Sequence, residues 1–309
     1  MRRLEHDGHG GPELVHLASH TLRKPQEKEA VVRVEAPSIN PLDWKIRRGV
    51  MKLLVGSKLP RTMGTDFSGT GEAVGSEVSN LKPRDAVPGA VPVKNSGAFA
   101  PTLITAQDHV VLKPANLSFA AAACLPVASV NPWPVPIKIA RLKRGRKLFI
   151  NGATGAVGRA AIAIARERGA EVTGRVVPQS VDRAESIGLG LAVDYTKPLP
   201  TPLDGIFDVI LDANGSLSRR EGDRPIKRGG KIFDIAPTRW KFLRALGSRS
   251  GKVVFADRAA ENLQPAVDLA SAGKLAIHIA QTISLDKAPA VLASLEQGKR
   301  LDGKVVIEL

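Results

Sequence analysis

A chain of 309 residues, 43% of them hydrophobic, has enough apolar surface for a full core, and its length suits two domains of ordinary size. Its single cysteine, Cys124, excludes an internal disulfide; no run approaches the ~18 apolar residues of a membrane span, and the start Met1-Arg2-Arg3-Leu4-Glu5-His6-Asp7 is too polar for a secretory signal, so cytoplasmic residence is expected. Lysine and arginine number 45 against 30 acidic residues, a net charge of +15, but they are spread along a chain with only 4% aromatic residues, which favours a basic surface over a dedicated nucleic-acid site.

In chain order, the first third reads as short strands between turns. Ala30–Ala36 alternates with the two-residue period of a half-buried strand, and Asp66–Val74 is a second strand punctuated by glycines. Dense proline and glycine around them predict an irregular, mostly antiparallel β domain. Near residue 117 the texture changes to strand and helix in alternation. Lys147–Ile150 is a short apolar strand, Arg159–Arg168 an alanine-rich helix ended by Gly169, and Glu171–Thr173 the opening of a second strand. A helix is expected over Val181–Ile187 and a buried strand over Phe207–Asp212. Such alternation predicts an α/β fold with a parallel, doubly wound sheet. From about residue 275 isolated strands return around one helix, and the apolar strand Lys304–Leu309 needs a partner sheet, expected in the first domain. The domain reading is therefore 1–117 completed by 275–309, with 118–274 between them.

Between the strand ending at Ile150 and the helix near Arg159 lies Asn151-Gly152-Ala153-Thr154-Gly155-Ala156-Val157-Gly158. Glycine permits a tight turn and close approach of backbone N–H groups to a pyrophosphate, which the positive end of the following helix dipole favours. Gly158 would serve close helix–strand packing. The spacing is Gly-x-x-Gly-x-x-Gly rather than the commoner Gly-x-Gly-x-x-Gly, and a plain strand–helix turn is the alternative. No carboxylate stands in Thr173–Pro178, where NAD-preferring sites carry one. Arg175 is either a partner for a 2′-phosphate, favouring NADPH, or a solvated surface arginine.

The runs Asn40–Ile46 (NPLDWKI), Gly64–Gly69 (GTDFSG), Gly97–Ala100, Lys113–Ser118 and Leu125–Val127, then the glycine turn, Asp212–Gly215, Gly229-Gly230 and Gly303–Val306, follow one another over almost the entire chain. Together they resemble the successive signatures of zinc-independent medium-chain dehydrogenases/reductases, in the quinone oxidoreductase-like branch that includes zeta-crystallin. The resemblance implies a GroES-like β-barrel domain, a Rossmann domain, and NADPH, or alternatively NADH, in the cleft between them. It places Asn40 near the nicotinamide, although Asn40 also reads as a turn residue before Pro41. Thr154, Gly155, Ala156 and Val157 would line the pyrophosphate, Tyr195 the adenosine side and Asn214 the nicotinamide ribose, with Asn131 and Lys304 as further cofactor contacts. The implied activity is hydride transfer to a quinone or α,β-unsaturated carbonyl, and the expected partners are that small molecule and a second copy of the chain in a homodimer.

Zinc-dependent relatives carry a Gly-His-Glu motif and a four-cysteine lobe; this chain has Gly64-Thr65-Asp66 and one cysteine, so no metal site is expected. Cys124 reads as a small core residue. Several departures predict weakened cofactor binding: three alternating prolines follow Asn131, Ala156 and Val177 replace smaller family residues, and Pro83-Arg84-Asp85 replaces a Gly-Asp turn. The expected catalytic set is Asn40, Asp43, Trp44 and Lys45. Water would deliver the proton, assisted by Lys45 or Asp43, and Trp44 reads equally as a substrate-cleft wall or a core aromatic. The rival readings are an alcohol or 2-enoyl-thioester reductase on the same scaffold and a non-enzymatic, NADPH-binding RNA interactor.

Overall fold

The computed structural model describes residues 1–130, 141–182, 184–235, 251–253 and 260–309. Asn131 and the prolines that follow it lie outside them. The chain forms two compact units: one runs from Met1 to Val127 and includes the helix Ala260–Ser271 and residues Ala276–Leu309, and the other begins at Ala128.

In the first unit, β1 (Arg2–His6), β2 (Val15–Ser19), β3 (Glu29–Ser38), β4 (Arg61–Thr62), β5 (Asp66–Val74), β6 (Ala86–Ala90) and β7 (Thr102–Ala106) form antiparallel pairs. The alternation read over Ala30–Ala36 buries Ala30, Val32 and Val34 against Phe67, Val87 and Leu103, while Arg33 faces solvent.

In the second unit, β8 (Lys147–Asn151), β9 (Glu171–Val176), β10 (Leu191–Asp194), β11 (Phe207–Asp212), β12 (Ile226–Asp234) and β13 (Gly251–Val253) form one parallel sheet in the order β10-β9-β8-β11-β12-β13. Strand order reverses between β8 and β11, the point at which open α/β sheets form a crevice. Every residue of β11 is buried; Phe207, Val209, Ile210 and Leu211 supply its apolar side chains, and the buried Asp208 is satisfied by Arg146, Lys227 and the Lys147 N–H. The helix after β8 covers Ala156–Glu167, beginning three residues earlier than its alanine pattern suggests because Gly155 is already its N-cap. The helix expected over Val181–Ile187 is absent from the described residues there; two 3₁₀ turns, Pro178–Ser180 and Glu185–Ile187, stand at its edges. Pro178 opens the first, and Gly188, at φ +88°, ends the second.

The chain then returns to the first unit, where β14 (Ile279–Ser284) runs parallel to β15 (Lys304–Glu308) and β15 pairs antiparallel with the end of β3. The C-terminal strand thus finds its partner sheet in the first unit. Val305 and Ile307 pack with Leu4, Ile39, Met63 and Phe99.

The turn Lys82-Pro83-Arg84-Asp85 holds Arg84 at φ +75°, a left-handed conformation that favours glycine at the residue after proline. Arg84→Gly is therefore expected to stabilise the protein by about 1 kcal/mol in urea denaturation; an unchanged or lower midpoint counts against strain at this turn. A second expectation concerns His6, which is 1% exposed on β1 opposite Arg61. Burial, aided by repulsion from His9, Arg61 and Arg47, holds its pKa below the ordinary 6.5 despite the Gly8 carbonyl bonded to Nδ1. The folded state keeps His6 neutral while the unfolded chain takes up a proton, so stability is full above about pH 6.5 and falls as pH drops below it. Melting curves between pH 7 and 5 should show a smaller fall for His6→Gln than for the wild type; equal falls would place the acid sensitivity elsewhere.

Candidate functional site

At the strand-order reversal, the last residues of β8 and β11, Asn151 and Asp212, are register partners, 2% and 1% exposed. Buried polar groups need partners, and these two find each other: Asn151 Nδ2 donates to Asp212 Oδ1 at 2.8 Å. The same amide reaches Asn214 Oδ1 at 2.8 Å and Ser216 Oγ at 3.1 Å. Asp212 accepts from the backbone N–H of Gly215 and of Leu217, each at 3.0 Å. The turn after β11 is thereby pinned to the end of β8. Asn151, Asp212 and Ser216 were not among the expected site residues; their signal is a polar residue closing each of two buried strands.

The glycine turn divides its work among three positions. Gly152 has φ +86°, which a side chain would strain. Gly158 is a packing glycine, since a Cβ there would lie 2.4 Å from Gly152 O. Gly155 is exposed at φ −68°, and a Cβ on it would meet nothing nearer than Gly152 O at 3.5 Å. Nothing in the protein itself requires glycine at Gly155, which leaves room for a ligand at the start of the helix. Ala156 and Val157 form the first turn of that helix, whose N–H groups lack intrahelical acceptors.

A cavity of about 230 Å³ opens beside this turn, lined by Asn151, Gly152, Thr154, Val177, Tyr195, Asn214 and Ser216, together with Arg175 and Glu221. Of the expected cofactor residues it brings together Thr154, Arg175, Tyr195 and Asn214. Tyr195 is 54% exposed and offers a ring face. Arg175 is no solvated arginine, being 8% exposed. Its Nη1 pairs with Glu221 Oε1 at 2.8 Å, and its Nη2 donates to the carbonyls of Tyr195 and Lys197 at 3.0 and 3.2 Å. Glu221 escaped the sequence reading because it lies on a short helix, Arg219–Asp223, remote in sequence from β9. Burial raises the Glu221 pKa, but hydrogen bonds from Ser218 and Arg175 outweigh it and hold the carboxyl below its ordinary value.

In the first unit, Asn40, Asp43 and Lys304 come together. Asn40 is 3% exposed and starts the helix Pro41–Arg47, with Asp43 Oδ2 accepting its N–H at 2.7 Å. Lys304 Nζ donates to Asn40 Oδ1 and, at 2.8 Å, to the Ile39 carbonyl. Asn40 is thus both a turn residue and a buried anchor for an ammonium group. Asp43, read as assisting proton delivery, is 3% exposed and caps this helix, a structural duty. Trp44 packs on the cluster around Ile39 and Ile307, the core reading of that residue, and Lys45 beside it is half-buried.

Asp66, the last residue of the run Gly64-Thr65-Asp66, is fully buried. Its Oδ1 accepts from Thr65 Oγ1 at 3.1 Å and its Oδ2 from the Val127 N–H at 2.8 Å, which ties it to the start of the helix Leu125–Val130. No three His, Cys, Asp or Glu side chains come together as a metal-binding group among the described residues. Cys124 is buried, and burial, reinforced by Asp66 and opposed by Lys304, pushes its thiol up to about 11, so it is a packing residue.

The second and third glycines of the turn make a paired test. Gly155→Val should melt like the wild type while losing nucleotide binding, because its side chain enters the open space. Gly158→Ala should destabilise the fold by roughly 1–3 kcal/mol through overpacking. A Gly155→Val protein that binds nucleotide with unchanged affinity would make this turn purely structural.

Residues 26–115 match the alcohol dehydrogenase GroES-like domain, and residues 187–307 match the family model described as zinc-binding dehydrogenase. Over its whole length the chain is 26% identical to the chloroplast envelope quinone oxidoreductase homolog of Arabidopsis thaliana, covering 98% of that protein. It is 28% identical to 2-methylene-furan-3-one reductase of Solanum lycopersicum, over 99% of this chain and 79% of that one. The solved quinone oxidoreductase of Coxiella burnetii aligns over 100% of this chain and 99% of its own, with a TM-score of 0.86 at 26% identity. No helix among the described residues is long and apolar enough to cross a membrane. With a GroES-like region, a parallel sheet of Rossmann order and these relatives, the chain belongs to the medium-chain dehydrogenase/reductase superfamily, in its quinone oxidoreductase-like branch.

Proposed function

We propose that this protein is a nicotinamide-dependent oxidoreductase that reduces quinones or α,β-unsaturated carbonyls without zinc. The observation that carries this reading is the cavity at the reversal of strand order, with Gly152 and Thr154 of the glycine turn on one side and the hydrogen-bonded Asn151, Asn214 and Ser216 on the other. Its donor set suits a dinucleotide. The helix start at Ala156 and Val157 suits the pyrophosphate, Thr154, Asn214 and Ser216 offer hydrogen bonds to ribose hydroxyls, and the exposed ring of Tyr195 offers a stacking face for adenine. NADPH is the proposed cofactor, with NADH as the alternative, because β9 itself ends without a carboxylate and the guanidinium of Arg175 lines the cavity, where the carboxylate bonded to it is Glu221. When bound, the nicotinamide supplies the hydride.

The chain's own part is to position and to hold charge. Within the first unit, Asn40 and the Ile39 carbonyl hold the Lys304 amine at the start of β15. Asp43 is occupied at the helix start and Asp66 at Thr65 and Val127, so neither is assigned a proton-transfer role, and we assign proton delivery to water. The zinc-free reading rests on the same commitment of Asp66 and on the inert Cys124. The choice of quinones and enones follows relatives named quinone oxidoreductase homolog and alkenal/one oxidoreductase.

The purified protein should oxidise NADPH in the presence of quinones or enones more readily than with saturated aldehydes. Activity should persist in chelator, and elemental analysis should find zinc well below stoichiometry. Chelator-sensitive turnover, or turnover confined to alcohols and aldehydes, would overturn the reading.

A further inference from the structure

Arg175 and Glu221 form the wall shared by two cavities of the second unit. Both line the cavity of about 230 Å³ at the strand ends and a neighbouring one of about 340 Å³. Lys197, Arg220 and Arg224 also line the neighbouring cavity, and among the described residues Glu221 is the only carboxylate lining either. Arg224 is already paired with Asp204 Oδ1 at 2.6 Å, and Glu221 is the carboxylate that lies on Arg175.

The bonding of the pair is lopsided. Arg175 Nη2 is spent on two carbonyls, its Nη1 on Glu221, and its Nε is buried with no partner. A guanidinium this buried, 8% exposed, has one hydrogen-bonded anionic partner, and its Nε–H is left without any. Glu221 is more accessible, its side chain 37% exposed, and is oriented by Ser218, whose N–H and Oγ both donate to Oε2, at 3.1 and 2.7 Å. Ser218 and Glu221 form a capping box, so the carboxylate is fixed by the helix start and its direction does not depend on Arg175.

We propose that Glu221 sets the balance between NADPH and NADH, because its carboxylate occupies the guanidinium of Arg175 that a 2′-phosphate would otherwise take. This rests on the nucleotide reading of the cavity given above. A 2′-phosphate brings as much as two negative charges toward a place already holding one, and the repulsion offsets what Arg175 offers. A ribose 2′-hydroxyl meets no such conflict, since it is able to donate to a carboxylate. The carboxylate that β9 lacks is thus supplied from the helix after β11, already neutralised by an arginine.

The test is fluorescence titration of the full chain with NADPH and with NADH, in the wild type, Glu221→Gln and the double variant Arg175→Gln/Glu221→Gln, each checked for folding by thermal melting. Glutamine keeps an acceptor for Ser218 and removes only the charge. Glu221→Gln should raise the NADPH-to-NADH affinity ratio by about tenfold or more, as expected when a charge-assisted contact is released for the phosphate, and the double variant should lose that gain. Where Glu221→Gln does not fold, Glu221→Asp, which withdraws the carboxylate by one methylene, should raise the ratio by a smaller factor. An unchanged or lower ratio in a folded single variant, or a gain that persists without Arg175, would overturn the proposal. Failure of every protein, wild type included, to bind either nucleotide would overturn the functional reading and this proposal with it.

Discussion

The second unit depends on one hydrogen bond between buried side chains, from Asn151 to Asp212. Two parallel strands that end side by side in polar residues face a choice: reach solvent, or satisfy one another. They do the latter, and Asp212 then has capacity left for the N–H groups of Gly215 and Leu217. The chain leaving β11 is turned across the end of β8, and the space between that turn and the glycine loop becomes the cavity. An apolar pair at these two positions would leave the turn untethered and the crevice without donors. The cavity therefore follows from how two strands close their polar accounts.

The first unit follows the same logic with different groups. Asp66, buried on β5, is satisfied by Thr65 and by the start of a helix whose N–H groups lack intrahelical partners. Asn40 and Asp43 satisfy the start of another helix and leave an amide oxygen for Lys304. In both places a carboxylate that a chemist would consider for catalysis or metal binding is consumed by the backbone.

What the sequence made legible was whatever is written locally. The strands at Ala30–Ala36, Asp66–Val74 and Phe207–Asp212, and the glycine turn, are spelled out by periodicity and by adjacent glycines, and the structure places them there. The helix over Val181–Ile187 was misread because a polar run between Pro178 and Gly188 has helical composition but little room for a helix. Asp43 was open to a better reading, since Asn-Pro-x-Asp is a helix-start pattern in which the acid at the third position bonds back to the cap. Glu221 was not legible at all. Its partner lies 46 residues earlier, on β9, and only the sheet order brings the helix and that strand together.

The seating of β15 between β14 and the end of β3 has a consequence for how the protein is made. Lys304 and the Ile39 carbonyl it contacts are 265 residues apart. On a ribosome adding about 5–20 residues per second, β3 waits roughly 10–50 s before its neighbour has been synthesised. During that interval the end of β3 presents unpaired backbone groups and the apolar side chains Ile39 and Met63 have lost part of their cover. Fusions or truncations that hinder the return of Lys304–Glu308 would therefore leave the end of β3 and this apolar cluster incomplete before they touched any chemistry.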